Sequence, residues 1–278
     1  MATDTTSPVQ TSPSPAEPEP YNPLPPLAKR TQDYGAQIEY WSGIPSTVDG
    51  MLGGYPQLSR ADLQQSSNFL AKLKPQMAAP ADGIRRGVDC GAGIGRITKG
   101  LLAKHLDVID IVEPVKKFTD ELLLANPELH SAGRIGDIYN VGLESWHPTE
   151  GKYWLIWNQW CLNHLTDKDL ISYLARCARA LTPTGLIVVK ENNTSTPSPP
   201  ASDTEDTDTD TDITDNTHDI FDPEDCSVTR TDGKFRRIFA KAGLLVVKSE
   251  LQRGFPERLK LYPVRMYALR PAPAKESK

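Results

Sequence analysis

The residues with the clearest chemical content form the run Asp89-Cys90-Gly91-Ala92-Gly93-Ile94-Gly95-Arg96, which follows a short apolar stretch and opens a helical one. Glycine at such a strand-to-helix turn lets the backbone bend sharply and lets a ligand approach the main chain with no Cβ in the way. Dinucleotides use the same turn, with the spacing G-x-G-x-x-G and a pyrophosphate on the helix N-terminus. Here the third glycine comes one residue early, and an acid stands two residues before the first. That form suits a ligand whose end carries an ammonium and a carboxylate in place of phosphates, as the methionine end of S-adenosylmethionine does. The expected chemistry is transfer of a methyl group.

Such a ligand also needs an acid at the end of the second strand, since a carboxylate can accept both ribose hydroxyls. Asp110 and Glu113 are both in range. Asp110 is the preferred choice because its distance from Gly91 is close to the ~20 residues expected, and Ile111 and Val112, which follow it, are expected to contact the cofactor as well. Glu113 would then be an exposed strand-end residue. Arg96 could pair bidentately with the ligand's carboxylate, or it could be a solvated helix arginine. For the methyl acceptor, Trp154, Trp157 and Trp160 crowd the end of the fourth strand candidate. Ligands of open α/β sheets bind beyond the carboxyl ends of the strands. Trp154 and Trp157 share strand parity and read as core, whereas Trp160 and His164 lie past the strand end. A histidine there is structural about as often as it is functional.

The elements that must position these residues follow from the alternation of short apolar runs with helical stretches, which signals a mostly parallel sheet flanked by helices. Strands are expected at 87–90, 107–112, 134–139, 153–157 and 185–191. Helices are expected at 94–105, 118–125, 167–181 (capped by Thr166) and 233–242. Residues 244–251 and 259–269 read as a closing, antiparallel pair of strands. Ahead of the sheet, residues 34–80 form helical stretches around the Gly-rich loop 44–55, a candidate lid. The main domain spans 81–271.

Residues 1–33 and 272–278 read as disordered tails, the first being rich in Pro, Ser, Thr and Ala without the basic start and apolar stretch of a signal peptide. Residues 194–219 include Asp-Thr repeats, which offer no apolar face and repel one another, so a disordered acidic insertion is expected. The whole chain of 278 residues carries 31 basic and 36 acidic side chains. Eight of the acids fall between Asp203 and Asp219, so the remainder is slightly basic. No calcium-loop spacing of Gly and Glu accompanies these acids, and no metal is expected. The four cysteines form no C-x-x-C pair, which fits a reducing cytoplasmic or nuclear setting. No apolar run approaches bilayer-spanning length, and no basic stripe or base-flipping motif points to nucleic acid.

Several further runs resemble one family. Tyr40-Trp41, the stretch from Pro45 to Tyr55 with its Val-Asp-Gly-Met-Leu-Gly-Gly, Asp89 to Thr98, Gln159-Trp160, His164 to Asp167, Lys190-Glu191-Asn192, Asp222, Asp225 to Arg230 and Ala268-Leu269-Arg270 are similar to the eukaryotic protein α-N-terminal methyltransferases. The similarity covers about 34–271 and has a fungal character. It implies a Rossmann-like class I methyltransferase with a seven-stranded sheet and an N-terminal helical lid. It also implies S-adenosylmethionine as cofactor, S-adenosylhomocysteine as product, and a monomer that methylates the free α-amine of X-Pro-Lys or X-Pro-Arg proteins, ribosomal proteins among them. By resemblance Asp225 and His164 orient the amine and take its proton, Asn192 bonds the peptide, Trp160 lies against the proline and Asp222 receives the third-position cation. Tyr262 would be another peptide contact, and Trp41 and Leu52 would close the lid. Leu143 and Glu144 would line the adenine side, and Gln159 would touch the cofactor alongside Gly91, Gly93 and Arg96. The chain departs from the animal pattern at Glu144, at Glu191 and at Pro223-Glu224. Without the resemblance, Asp222 and Asp225 would read as solvated charge beside an acidic linker.

Overall fold

The computed structural model describes residues 32–194 and 218–273. The tails and most of the acidic stretch lie outside the described residues. A seven-stranded sheet forms the centre, built from β1 (Arg86–Cys90), β2 (Val108–Val112), β3 (Ile135–Tyr139), β4 (Tyr153–Gln159), β5 (Leu181–Asn192), β8 (Leu244–Leu251) and β9 (Val264–Pro271), in the order β3-β2-β1-β4-β5-β9-β8. The first five pair in parallel, and β9 runs antiparallel to both β5 and β8. A two-residue pair, β6 (Ile220–Phe221) with β7 (Val228–Thr229), stands apart from this sheet. The strand order reverses between β1 and β4, and a crevice opens at their carboxyl ends. Every residue of β4 is buried, as expected of a strand covered on both faces.

One face of the sheet is covered by α7 (Asp167–Ala180) and α8 (Asp232–Lys241), which add Tyr173, Leu174, Phe235 and Phe239 to its core. The other face packs on α3 (Ser59–Leu73), α4 (Arg96–Gly100) and α5 (Lys116–Ala125), through Phe69, Leu73, Ile97 and Leu122. The short helix α6 (Pro127–Ser131) leads into β3. Thr166 caps α7, its hydroxyl accepting from the Asp169 N–H at 3.1 Å. The antiparallel closing pair also forms as read from the sequence, although β9 starts later. Pro256 and Pro263 flank a 3-10 turn there and cannot donate to a ladder.

The expected helix over 94–105 divides into α4 and a separate 3-10 turn at Leu102–Lys104. Gly100 ends the first piece where Leu63 of α3 presses in; a Cβ on Gly100 would lie 2.7 Å from Leu63 Cδ1. The segment read as a lid also splits in two. Helices α1 (Tyr34–Gly43) and α2 (Val48–Met51) reach over the crevice, whereas α3 is a full member of the core.

Candidate active site

The glycine run leaves β1 at the reversal point. Gly91 and Gly93 adopt φ of 65° and 53°, the left-handed region where a side chain is strained. Space is short as well: a Cβ on Gly91 would sit 2.5 Å from Cys161 Cβ, and one on Gly93 2.7 Å from Met51 Sδ of α2. The Gly91 N–H donates to the Val112 carbonyl at 2.8 Å, and the Gly93 N–H donates to Glu113 Oε2 at 2.9 Å. Asp89 is buried and accepts from the Thr98 hydroxyl at 2.6 Å, clasping the start of α4 to β1. Burial pushes its carboxyl up to about 6, against the pull of that hydrogen bond.

A cavity opens beside this loop. Gly91, Gly93, Arg96, Glu113, Leu143, Glu144 and Gln159 line it from the sheet side, and Trp41 and Met51 from α1 and α2. The loop bearing Leu143 and Glu144 is fixed from α7, where Arg176 Nη2 donates to their carbonyls at 2.9 and 3.0 Å. Arg176 and the acid of α3 described next are residues that sequence reasoning missed, because an isolated charge on a helix carries no motif. Asp62 accepts from Gln159 Nε2 at 2.9 and 3.0 Å and from Arg96 Nη1 at 2.6 Å.

The choice of Asp110 as the ribose acid is corrected by this geometry. Asp110 lies within β2, fully buried, and does not line the cavity. Its oxygens are taken by Arg86 Nη1 at 2.8 Å, Lys152 Nζ at 2.6 Å, the Tyr153 hydroxyl at 2.9 Å and the Asp137 N–H at 3.0 Å. Ile111 and Val112 likewise belong to the core, with Val112 contributing only its carbonyl. Glu113, one residue past the strand, is the acid at the crevice. Burial raises its carboxyl to about 7, while the N–H groups of Val115 and Gly93 oppose the rise.

Of the acceptor residues, Trp160 and His164 line the same cavity, with Asn192 and Asp225 next to them. Trp160 follows β4 in a left-handed conformation, φ 54°. Its backbone N–H donates to the Lys190 carbonyl at 3.0 Å, and its indole N–H to Asn192 Oδ1 at 3.2 Å. Glu191 accepts from the next two N–H groups, those of Cys161 and Leu162, both at 2.7 Å. Its carboxyl is pushed up to about 7 by burial, with the two N–H groups pulling the other way.

His164 lines the cavity edge-on to Trp41, with 5.9 Å between ring centroids, and its Nε2 lies 4.0 Å from Asp225 Oδ2. Burial lowers the imidazole pKa, while the charges of Asp225 and Asp222 pull it up. The buried Gln37 of α1 joins the two loops, its amide donating to the His164 carbonyl at 3.0 Å and to the Cys226 carbonyl at 2.9 Å. Arg230, almost fully buried, braces the histidine loop through the Leu165 carbonyl at 2.6 Å and Asp167 at 2.8 Å.

Asp225 is partly buried and accepts from the Ser227 N–H at 2.9 Å, whereas Asp222 is exposed. Tyr40 lies near both: burial raises its pKa, and the charges of Glu224, Asp225 and Asp222 add to the rise. Asn192, Asp222 and Asp225 do not themselves line the cavity: Asn192 meets it through Trp160 and Asp225 through His164. Leu52 and Tyr262 do not line it either. Leu52 caps α2 behind Met51, and Tyr262 is exposed outside the cavity. Among the described residues no cluster of His, Cys, Asp or Glu could hold a metal ion, and no helix is long and apolar enough to cross a membrane.

The donor cavity suits S-adenosylmethionine on its own chemistry. The side-chain-free glycine turn leaves room for the amino-acid end, Glu113 can accept from a ribose diol, Arg96 can meet a carboxylate, and Leu143 gives an apolar wall for the base. Comparison with known proteins agrees. The family model for AdoMet-dependent proline di-methyltransferases matches residues 29–214 and 208–270.

The chain belongs to that family. It is 42% identical over 240 residues to alpha N-terminal protein methyltransferase 1 of Schizosaccharomyces pombe, covering 86% of this chain and 96% of that one. It is 36% identical over 241 residues to the N-terminal Xaa-Pro-Lys N-methyltransferase 1-A of Xenopus laevis, with the same two coverages. Among solved structures, a SAM-dependent methyltransferase of Leishmania major superposes with a TM-score of 0.70 at 36% identity, covering 85% of this chain and 82% of the other. The protein is thus an S-adenosylmethionine-dependent methyltransferase with the class I fold.

Proposed function

We propose that this methyltransferase modifies the free α-amine of proteins beginning X-Pro-Lys or X-Pro-Arg after removal of the initiator Met. We place it, as a monomer, in the cytoplasm or nucleus, where basic ribosomal-protein N-termini are candidate substrates. The observation that carries this reading is the pairing of His164 with Asp225 at the acceptor end of the donor cavity. Trp160, bonded to Asn192, lines the cavity with His164, and the exposed Asp222 precedes Asp225 on the same loop.

An α-ammonium has no lone pair and must lose a proton before it can attack a methyl group. Its reference pKa of about 7.7–8.0 makes this loss inexpensive near neutral pH. An imidazole whose pKa is lowered by burial is neutral there and can accept the proton, while the Asp225 carboxylate orients the incoming ammonium. The Trp160 ring offers a flat apolar surface to a pyrrolidine, and the exposed Asp222, which accepts from the Glu224 N–H through Oδ1, can meet a Lys or Arg side chain through Oδ2. When bound, S-adenosylmethionine supplies a methyl group on a sulfonium. The chain's own groups hold the amine in line with it and exclude water.

Mass spectrometry of an X-Pro-Lys peptide incubated with enzyme and cofactor tests the proposal. Methyl increments on the α-amine are expected, with none on the N-acetylated peptide. Methylation of free small amines in preference to the peptide would overturn it. Asp225→Asn should lower kcat by at least about a hundred-fold, the ordinary scale of acid–base assistance, and leave cofactor affinity near normal.

A further inference from the structure

Asp62 has no place in the chemistry described so far, yet it lies between the two halves of the site. Its side chain is fully buried on α3. One oxygen meets Lys190 Nζ at 2.5 Å, the other meets Arg96 Nη1 at 2.6 Å, and Gln159 bonds both. Lys190 is fully buried as well, and donates to Ser66 Oγ at 2.8 Å and to the Asp62 carbonyl at 3.2 Å. Two cations therefore face one carboxylate in a region closed to water, which leaves the cluster one positive charge in excess. Arg96 lies at the edge of this cluster and also lines the donor cavity. Its guanidinium carbon lies 5.4 Å from the centroid of the Trp160 ring.

Burial on its own would raise the Asp62 carboxyl, but the charges of Lys190 and Arg96 outweigh that and hold it below its usual range. Burial brings Lys190 down to about 8, with Asp62 opposing the fall, so the ammonium remains charged at neutral pH. The charged groups facing it are Asp62 and Arg96.

We infer that Asp62 is a positioning residue of the donor site: it aims the Arg96 guanidinium at the carboxylate of the cofactor's methionine end, and with Lys190 it leaves the buried cluster a single positive charge that this carboxylate neutralises. A guanidinium tethered through one nitrogen keeps its remaining donors for a second carboxylate, and charge-assisted bonds of this kind depend on direction. The same tether holds Arg96 over Trp160, whose backbone is bonded to the strand that carries Lys190. The inference rests on the donor cavity and not on the identity of the peptide.

The test measures binding of S-adenosylhomocysteine by titration calorimetry, without peptide. In parallel, 5′-methylthioadenosine, which keeps the nucleoside and thioether but lacks the amino-acid carboxylate, serves as the control ligand. Asp62→Asn strands the Lys190 ammonium in the core and can unfold the protein, so the double variant Asp62→Asn/Lys190→Met is measured beside it. The double variant removes both members of the buried pair and is expected to melt near the wild type. It should bind S-adenosylhomocysteine at least about ten-fold more weakly, the value of one lost charge-assisted hydrogen bond. Its affinity for methylthioadenosine should stay within about two-fold, and the cofactor KM should rise more than the peptide KM. Adding Arg96→Ala to the double variant should cost little more, because residues acting through one another are not additive. Unchanged S-adenosylhomocysteine affinity in the folded double variant, or an equal loss for both ligands, would overturn the assignment.

Discussion

Trp160 and Cys226 are two of the three non-glycine residues with left-handed backbone among the described residues, and each lies beside an acceptor group. Such conformations cost of order 1–3 kcal/mol and persist where surrounding bonds over-determine them. At Trp160 the fixing bonds come from the Lys190 carbonyl and from Glu191, whose carboxylate gathers the following two N–H groups. Glu191 is held protonated more readily in the fold, about 7 against an ordinary 4.5, so the folded chain binds more protons than the unfolded chain between those values. Its contribution is therefore intact below pH 4.5, falls as pH rises towards 7, and levels off above. Relative to wild type, Glu191→Gln should thus gain stability on going from pH 5 to pH 8, by up to about 3 kcal/mol, in denaturant titrations at both pH values. No gain with pH would remove Glu191 as the cause. A second contrast separates the two acids near the end of β2. Glu113→Gln should weaken cofactor binding by about ten-fold with little change in melting at pH 5, at the foot of the window in which its raised carboxyl makes stability depend on pH. Asp110→Asn should leave cofactor affinity within about two-fold but cost about 3 kcal/mol, because it strips the anion from Arg86 and Lys152. Calorimetry and thermal melts read the two effects separately. Sequence spacing favoured Asp110 because spacing counts residues, whereas the crevice begins only where the strand stops.

The strands and α7 were legible because their patterns are local: apolar runs bounded by turns, and a Thr cap before an amphipathic stretch. The break after Gly100 was not, since it answers to Leu63 on a helix distant in sequence. The same holds for α3, whose face reads as a modest amphipathic helix while its partners are strands found much later in the chain. Acceptor roles for Asp222 and Asp225 were legible only through family resemblance, because acids beside an acidic stretch look solvated. Gln37 had no sequence signal at all. It joins α1 to both acceptor loops through two backbone carbonyls, a task that leaves no trace in residue spacing. Gln37→Ala should lower stability by about 1–2 kcal/mol, the cost of leaving buried carbonyls unpaired. If α1 positions His164 relative to Asp225, the peptide KM should also rise several-fold while cofactor affinity moves less. Equal loss of cofactor and peptide binding would reduce α1 to a general support.

At the scale of the whole chain, the stretch 195–217 leaves and re-enters the fold at nearly one place. Before it, the Thr194 N–H donates to the Arg230 carbonyl at 3.1 Å, and Asn193 bridges Arg230. After it, Ile220 pairs with Thr229, and Asp219 meets Lys234 at 2.5 Å. Both ends are thus tied to the short segment 229–234, next to the acids 222 and 225. A closed loop loses stability only slowly with length, about 0.6 kcal/mol per doubling. Replacing 195–217 by a short Gly/Ser linker should therefore leave the melting temperature within a few degrees and kcat unchanged. The electrostatic consequence is separate. Eight acids lie between Asp203 and Asp219, close in sequence to the acceptor loop. If they draw basic N-termini towards it, the deletion should raise the peptide KM at low ionic strength and have no effect at high salt, where the screening length falls to about 3 Å at 1 M. Steady-state kinetics of the two proteins across a salt series, with a lysine-rich and a lysine-poor X-Pro-Lys peptide, decide the matter. A KM difference that persists at high salt would assign the stretch a contact role, and no difference at any salt would assign it none.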